Sequence, residues 1–421
     1  MVLATHVTGV LLAYAAQILM ARWAGPDAFG LFSMAFAGAT ILALFAGMGI
    51  PDAIVRLIPE YVHGEEWARL RSLMDMAERW VGGCAIFLAT GITLSVTVFS
   101  GGIPAGATPQ GALMLGALVV TPALVFHQLY TSICRAQHQL ATAYGLSQVG
   151  RNLLVIGGIG GIAYLRPSIL NGPTLVVIAA TSLVLTTILQ RHRARHLHPP
   201  GRSQPASWSQ ARQWIRFALP FFFTHGFFSL FQQTDLLLVG VFAPVADVGH
   251  YRISIYMAAV VSFVLAAVNT AAAPHFASLH AEGNVEGLRS MTRRLIPWIA
   301  GLSVLAFVAI IGAGPFLLPL FGPSFEMAYV PLIILATGHV FSALCGPVDT
   351  LLYMTDHEKT AAWIIVTSVV VNLLLSALGL VLFGLVGAAI ASAVCMVGWN
   401  LAFLRIVRRR VGVDPSILSV W

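Results

Sequence analysis

Charge is what this 421-residue chain has least of. Only 9% of its residues are Asp, Glu, Lys or Arg, against roughly 25% in an ordinary soluble domain, and 58% are hydrophobic. A chain so composed cannot clothe an aqueous globule, so a membrane is its expected solvent. Lysine is nearly missing: 22 of the 23 basic residues are arginine, the exception being Lys359. The formal net charge of +7 would suggest a nucleic-acid partner in a soluble protein. Here the arginines gather in alternate polar connections, as orientation in a bilayer requires, and no nucleic acid is implied. Cysteine is scarce. Cys84, Cys134, Cys345 and Cys395 lie in apolar stretches at spacings that fit neither a zinc site nor a disulfide framework. No Walker loop, carboxylate pair or nucleophile constellation occurs, and Gly157-Gly158-Ile159-Gly160-Gly161 follows no strand, so it reads as a helix-packing surface. Catalysis, a metal, a cofactor and ATP-driven pumping are therefore not expected.

What the chain has in abundance is apolar length. Runs long enough to cross a bilayer recur along it, and twelve spans are expected in an all-α polytopic fold. The first, Val2 to Met20, contains Ala13-Tyr14-Ala15, similar to a signal-peptidase site, but no basic stretch precedes it and a retained helix is expected. Gly25-Pro26-Asp27-Ala28-Phe29-Gly30 should turn the chain into the second span, which runs through Leu31 to Ile50 into Pro51-Asp52. The main polar interruption, Arg191 to Gln213, divides the chain near its middle. The expected organisation is a six-helix lobe over 1–190, a linker over 191–213, a second six-helix lobe over 214–404 and a basic tail over 405–421. Loops on the side of the linker and tail hold about 20 basic residues, whereas the opposite loops hold Arg22, Arg166 and Arg252, which places both termini in the cytoplasm.

The halves resemble each other at an offset of about 220 residues. Ala24-Gly25-Pro26-Asp27-Ala28-Phe29-Gly30 aligns with Ala243-Pro244-Val245-Ala246-Asp247-Val248-Gly249, Leu70-Arg71-Ser72-Leu73 with Leu288-Arg289-Ser290-Met291, and Asn152-Leu153-Leu154 with Asn372-Leu373-Leu374. Six helices in each half make this a parallel repeat. Two such lobes related by a pseudo-twofold axis suit alternating access to a central cavity.

The segment Ala21 to Phe32, together with Phe321-Gly322-Pro323-Ser324-Phe325, Gly346 to Thr355 and Asn372-Leu373-Leu374-Leu375, resembles polysaccharide flippases of the Wzx type. These belong to the multidrug/oligosaccharidyl-lipid/polysaccharide exporter superfamily. The resemblance implies a V-shaped two-lobe bundle in the bacterial inner membrane. Its cargo would be an undecaprenyl-pyrophosphate-linked oligosaccharide, moved from the cytoplasmic to the periplasmic leaflet during synthesis of a surface polysaccharide such as O-antigen, lipopolysaccharide or exopolysaccharide. Polymerase and assembly proteins would be its partners. The competing readings are a drug or cation antiporter of the same superfamily and, in a different class, a membrane glycan polymerase or ligase. The latter usually carries a large outer loop, which is not seen here.

A pyrophosphate head with sugars cannot enter hydrocarbon without replacing its lost water, so such cargo needs a polar, cationic cavity. Arginine suits it, because its planar fork binds phosphate oxygens in pairs. Arg151, about 12 Å inside the fifth span by helical rise, leads the cavity candidates, with Gln148 and Asn152 beside it and Arg135 at the exit of the fourth. Snorkelling to the interface is the plainer role for both arginines. Asp52 and Arg56, four apart at the cytoplasmic end of the second span, can pair on one helix face and form a gate or a plain interfacial ion pair. Asp235, deep in the seventh span, and Asp349, in the tenth, are candidates for ion coupling or interhelical bonding. Arg252 stands where it could neutralise Asp235, and Asn269 is a further polar residue in an apolar run. Lone histidines His127, His225 and His339 show no metal spacing.

Overall fold

Proline and glycine break the long apolar runs of this chain into stacked helical pieces, and those breaks organise the bundle. The computed structural model describes residues 2–102, 108–195 and 207–420. In order along the chain the helices are α1 (Val2–Gly47), α2 (Ile50–His63), α3 (Trp67–Phe99), α4 (Pro109–Leu115), α5 (Thr121–Ala136), α6 (Leu140–Tyr144), α7 (Arg151–Leu165) and α8 (Gly172–Arg195). Then come α9 (Trp208–Phe221), α10 (Phe227–Phe242), α11 (Val245–Ala259), α12 (Phe263–Ala281), α13 (Val285–Leu317), α14 (Tyr329–Cys345), α15 (Val348–Met354) and α16 (Glu358–Ile406). Among the described residues, eight helical stretches are long and apolar enough to cross a bilayer. Two of these, α1 and α16, are double, because Gly25 (φ 83, ψ 169) and Gly384 (φ 59, ψ −141) interrupt their helical path. Two further apolar segments are assembled from shorter pieces, α6 with α7 and α9 with α10. The six-residue turn expected after the first span is thus a single-residue kink, with Pro26 starting the next segment where its missing N–H costs nothing.

The chain divides into two compact units, Met1–Ser229 and Leu230–Trp421. In the first, the second half of α1 buries a ladder of small residues, among them Ala35, Ala39, Ala43 and Ala46, which lets neighbouring backbones approach closely. The second span does not run on into Pro51 as the hydropathy suggests. Met48 (φ 41) and Gly49 (φ 76) turn the backbone, and α2 starts afresh with Pro51 in its first turn. Gly49 is required twice over, since a Cβ there would stand 2.3 Å from the Ala218 carbonyl oxygen. Ile50, Ile54, Leu57 and Ile58 of α2 pack on Leu70 and Leu73 of α3, Leu129 and Ile133 of α5, and Trp214 and Ala218 of α9. The Trp214 indole N–H also donates to the Tyr61 hydroxyl at 2.8 Å. Helix α9 opens on a capping box formed by Ser207 and Gln210, and it belongs to the first unit even though it follows the polar linker.

In the second unit the chain beyond α16 is not a loose tail. A π-helical turn, Val407–Val411, leads to Gly412, whose carbonyl accepts from Arg289 at 3.1 Å. Val413 is fully buried, and Arg408 bonds Asp414 at 2.8 Å and Ser416 Oγ at 3.0 Å.

Candidate functional site

A cavity of about 480 Å³ opens within the first unit. Its walls follow from three local features. On α5, His127, Gln128, Thr131, Ser132 and Arg135 recur at helical spacing and share a face. Between α6 and α7 a π-helical turn, Gly145–Gly150, carries Ser147 and Gln148 into the wall, and Arg151 follows as the first residue of α7. The break at Met48–Gly49 brings Asp52 in beside Thr40 and Leu44 of α1. Phe221, Phe222, Gly226 and Ser229, on a second π-helical turn and its flanks, complete the lining.

Four residues singled out in sequence, Asp52, Arg135, Gln148 and Arg151, therefore line one cavity. With two arginines and one aspartate, its formal charge is positive. The Arg135 guanidinium has no hydrogen bond or ion pair among the described residues, and the Gln148 side-chain oxygen is buried without a partner. His127, 5% exposed, approaches the hydroxyls of Thr186 and Thr187 through Nδ1 at 3.3 Å. Both hydroxyls already donate to backbone carbonyls. They can therefore accept from Nδ1–H.

Two expectations are corrected. Arg56 does not pair with Asp52: no ion pair joins them among the described residues, and the Arg56 guanidinium lies 5.7 Å from the Phe217 ring centroid instead. Asp52 lines the cavity, whereas Arg56 is exposed. Asn152 does not line the cavity: it is buried and donates to the carbonyls of Gly9 and Gln148 at 3.0 and 2.7 Å. Sequence reasoning missed Gln128, Thr131, Ser132 and Thr40. The i, i+4, i+8 series Gln128, Ser132, Ala136 and its neighbour Thr131, Arg135 was the available signal. Gln190, also missed, reaches Thr131 Oγ1 with its amide N–H at 3.1 Å.

The second unit holds a separate polar cluster. Asp235 on α10 is 4% exposed, and its Oδ1 accepts from Asn372 Nδ2 at 2.6 Å and Ser376 Oγ at 2.9 Å, both from the first arm of α16. Ser392 of the second arm donates to Oδ2, and Tyr251 OH stands 3.5 Å from Ser392 Oγ. Arg252 does not neutralise Asp235. It reaches Gln233 Oε1 at 3.4 Å and Tyr256 OH at 2.9 Å, with its guanidinium 4.5 Å from the Tyr256 ring centroid. One residue along α11 is a rotation of about 100°, so Tyr251 and Arg252 cannot both face the carboxylate. Asp235 thus has donors on both oxygens and no cation among the described residues. Asp349 accepts from Asn269 Nδ2 at 3.1 Å and from the Thr350 backbone N–H at 2.7 Å, within the first turn of α15. His225 lies outside the residues whose side chains are described.

The polysaccharide biosynthesis protein family matches residues 1–280, and the MatE family matches residues 220–378. The membrane protein EpsK of Bacillus subtilis is 27% identical over 194 residues, a match spanning 43% of this chain and 37% of EpsK's own length. The "Probable low-salt glycan biosynthesis flippase Agl15" of Haloferax volcanii is 22% identical over 391 residues, 92% of this chain and 78% of Agl15. Among solved structures, lipid II flippase MurJ in an inward closed conformation superposes with a TM-score of 0.74 at 13% identity, over 97% of this chain and 87% of MurJ. That likeness establishes the fold. The first family match covers more than half the chain and the whole of the cavity's lining, and so the chain belongs to the polysaccharide biosynthesis protein family.

Proposed function

We propose that the protein is a flippase for a lipid-linked oligosaccharide with an undecaprenyl-pyrophosphate anchor, working from the cytoplasmic to the periplasmic leaflet of the bacterial inner membrane with both termini cytoplasmic. The observation that carries this reading is the cavity of the first unit, where Arg135 and Arg151 stand among hydroxyl and amide side chains. Two guanidinium groups suit a pyrophosphate, and Gln128, Thr131, Ser132 and Gln148 offer the donors and acceptors that sugar hydroxyls give up on leaving water. His127 lines the same wall, and Asp52 in the first turn of α2 is an anionic counterweight. The apolar polyprenyl chain needs no such site and stays in lipid.

Asp235 is the coupling candidate. A buried carboxylate held by Asn372, Ser376 and Ser392 suits a proton or a small cation that binds on one side of the membrane and leaves on the other. Asp349 with Asn269 is a second such pair. The same acids favour a drug or cation antiporter as the second reading, in line with the MatE match over residues 220–378; the two arginines of the cavity favour the anionic cargo.

The test is translocation of a lipid-linked oligosaccharide by the reconstituted protein. Each charge-assisted bond is worth roughly 1.5–3 kcal/mol, so Arg151→Ala and Arg135→Ala should each slow transport about 10- to 100-fold while membrane insertion is unchanged. Full-rate flipping by the double variant would sink the assignment, and loss of export of a cationic drug in its place would establish the antiporter.

A further inference from the structure

The second unit carries a binding surface that the glycan reading does not use. Between the two arms of α16 runs a trough of about 510 Å³, walled by Trp363, Val371 and Leu375 of the first arm and Val394, Gly398 and Ala402 of the second. Ala402 also lines an adjoining recess of about 620 Å³, whose remaining residues are Leu401, Leu404, Arg405, Arg408 and Arg409. Trough and recess therefore meet at Ala402. Residues 398, 402, 405 and 409 follow one another at three- and four-residue steps and share a face of the second arm, apolar along the membrane and cationic at its end.

Arg408 spends one terminal nitrogen on Asp414 and Ser416. Arg405 and Arg409 have no hydrogen bond or ion pair among the described residues, and both are exposed. Unpaired guanidinium groups at the end of a transmembrane helix, opening on an apolar trough, match a molecule with an anionic head and a hydrocarbon tail. The recess offers no amide, carboxylate or hydroxyl for sugar hydroxyls, in contrast to the cavity of the first unit. Its complement is a phosphodiester without a glycan.

We propose that this face of α16 is a binding site for an anionic phospholipid, with the phosphate on Arg405 and Arg409 and an acyl chain in the trough beside Gly398. The site is independent of the cargo pathway and stands whether or not the glycan reading holds.

The experiment is native mass spectrometry of the full-length protein, delipidated and titrated with phosphatidylglycerol or with phosphatidylcholine of identical acyl chains. An arginine near a membrane surface contributes about fivefold, so Arg405→Gln with Arg409→Gln should weaken phosphatidylglycerol binding about 25-fold. Arg410→Gln removes a neighbouring charge outside the recess and should leave binding unchanged. Gly398→Leu keeps every charge and fills the trough, where a Cβ meets open space, and should also abolish retention. Equal binding of the two lipids by the wild type, equal losses in the Arg405/Arg409 and Arg410 variants, or full retention by Gly398→Leu would each overturn the site.

Discussion

Asp235 and Gly49 show what single residues decide here. Asp235 organises Asn372, Ser376 and Ser392 around one carboxylate, so its replacements separate charge from shape. Asp235→Asn keeps the volume and most of the bonding, and should yield a folded protein whose transport no longer responds to a proton or sodium gradient, read in vesicles under imposed gradients. Asp235→Ala leaves three buried donors facing a void, at roughly 1–3 kcal/mol for each unsatisfied group, and should lower the yield of folded protein as well. Gly49→Ala should cost about 2–4 kcal/mol, combining a left-handed backbone with a methyl forced against the Ala218 carbonyl. A lower Tm in detergent would register it, and an unchanged Tm would refute the close approach. Residues of this kind were half legible. A charged or amide side chain inside an apolar run stands out, which is how Arg151, Arg135, Gln148, Asp235 and Asp349 were singled out. Its partner is set by which helix lies opposite, and so the contacts that Arg56, Asn152 and Arg252 make were not foreseen.

At the scale of elements, hydropathy located the helices because the bilayer imposes length and apolarity on each. It missed the restart at Met48–Gly49 because the apolar run continues unbroken through Gly47 to Ile50, and composition carries no record of φ. The π-helical turns at Gly145–Gly150 and Phe222–Gly226 were invisible for the same reason, yet they aim Gln148 and Phe222 into the cavity. The segment after α16 was expected to be a basic tail, and in the structure it is docked. Its docking depends partly on Asp414, where burial alone would raise the carboxyl, but the bonds from Arg408 and Ser416 outweigh it and hold the pKa below the usual carboxylate range. The contribution of this group is complete above about pH 4 and is lost as the pH falls through the lowered folded value. Arg408 and Asp414 are 41% and 34% exposed, so solvent screening keeps the effect to about 1 kcal/mol at most. A nitroxide at position 418 should gain mobility on acidification below that range in the wild type and be mobile at all pH values in Asp414→Asn. A pH-independent spectrum in the wild type would exclude the role.

For the whole molecule, membrane class, all-α architecture and family were readable from composition, recurrence of apolar spans and a few loop signatures. The division between units was harder to read. The repeat and the polar linker both suggest a boundary near residues 191–213, but α9 sits with the first unit and the division falls after Ser229. The sequence repeat and the unit of packing are thus out of phase by one helix. If the chain is cut between Arg195 and Ser207 and both pieces are co-expressed, the second piece should deliver α9 to the α2–α3–α5 core of the first, and the two should purify together. Cutting after Ser229 should give pieces that separate more readily, as judged by co-purification yield. The Tyr61–Trp214 hydrogen bond then takes on another meaning: it fastens a helix that follows the polar linker onto a core built before it, so a chain cut in the linker would carry its own clasp.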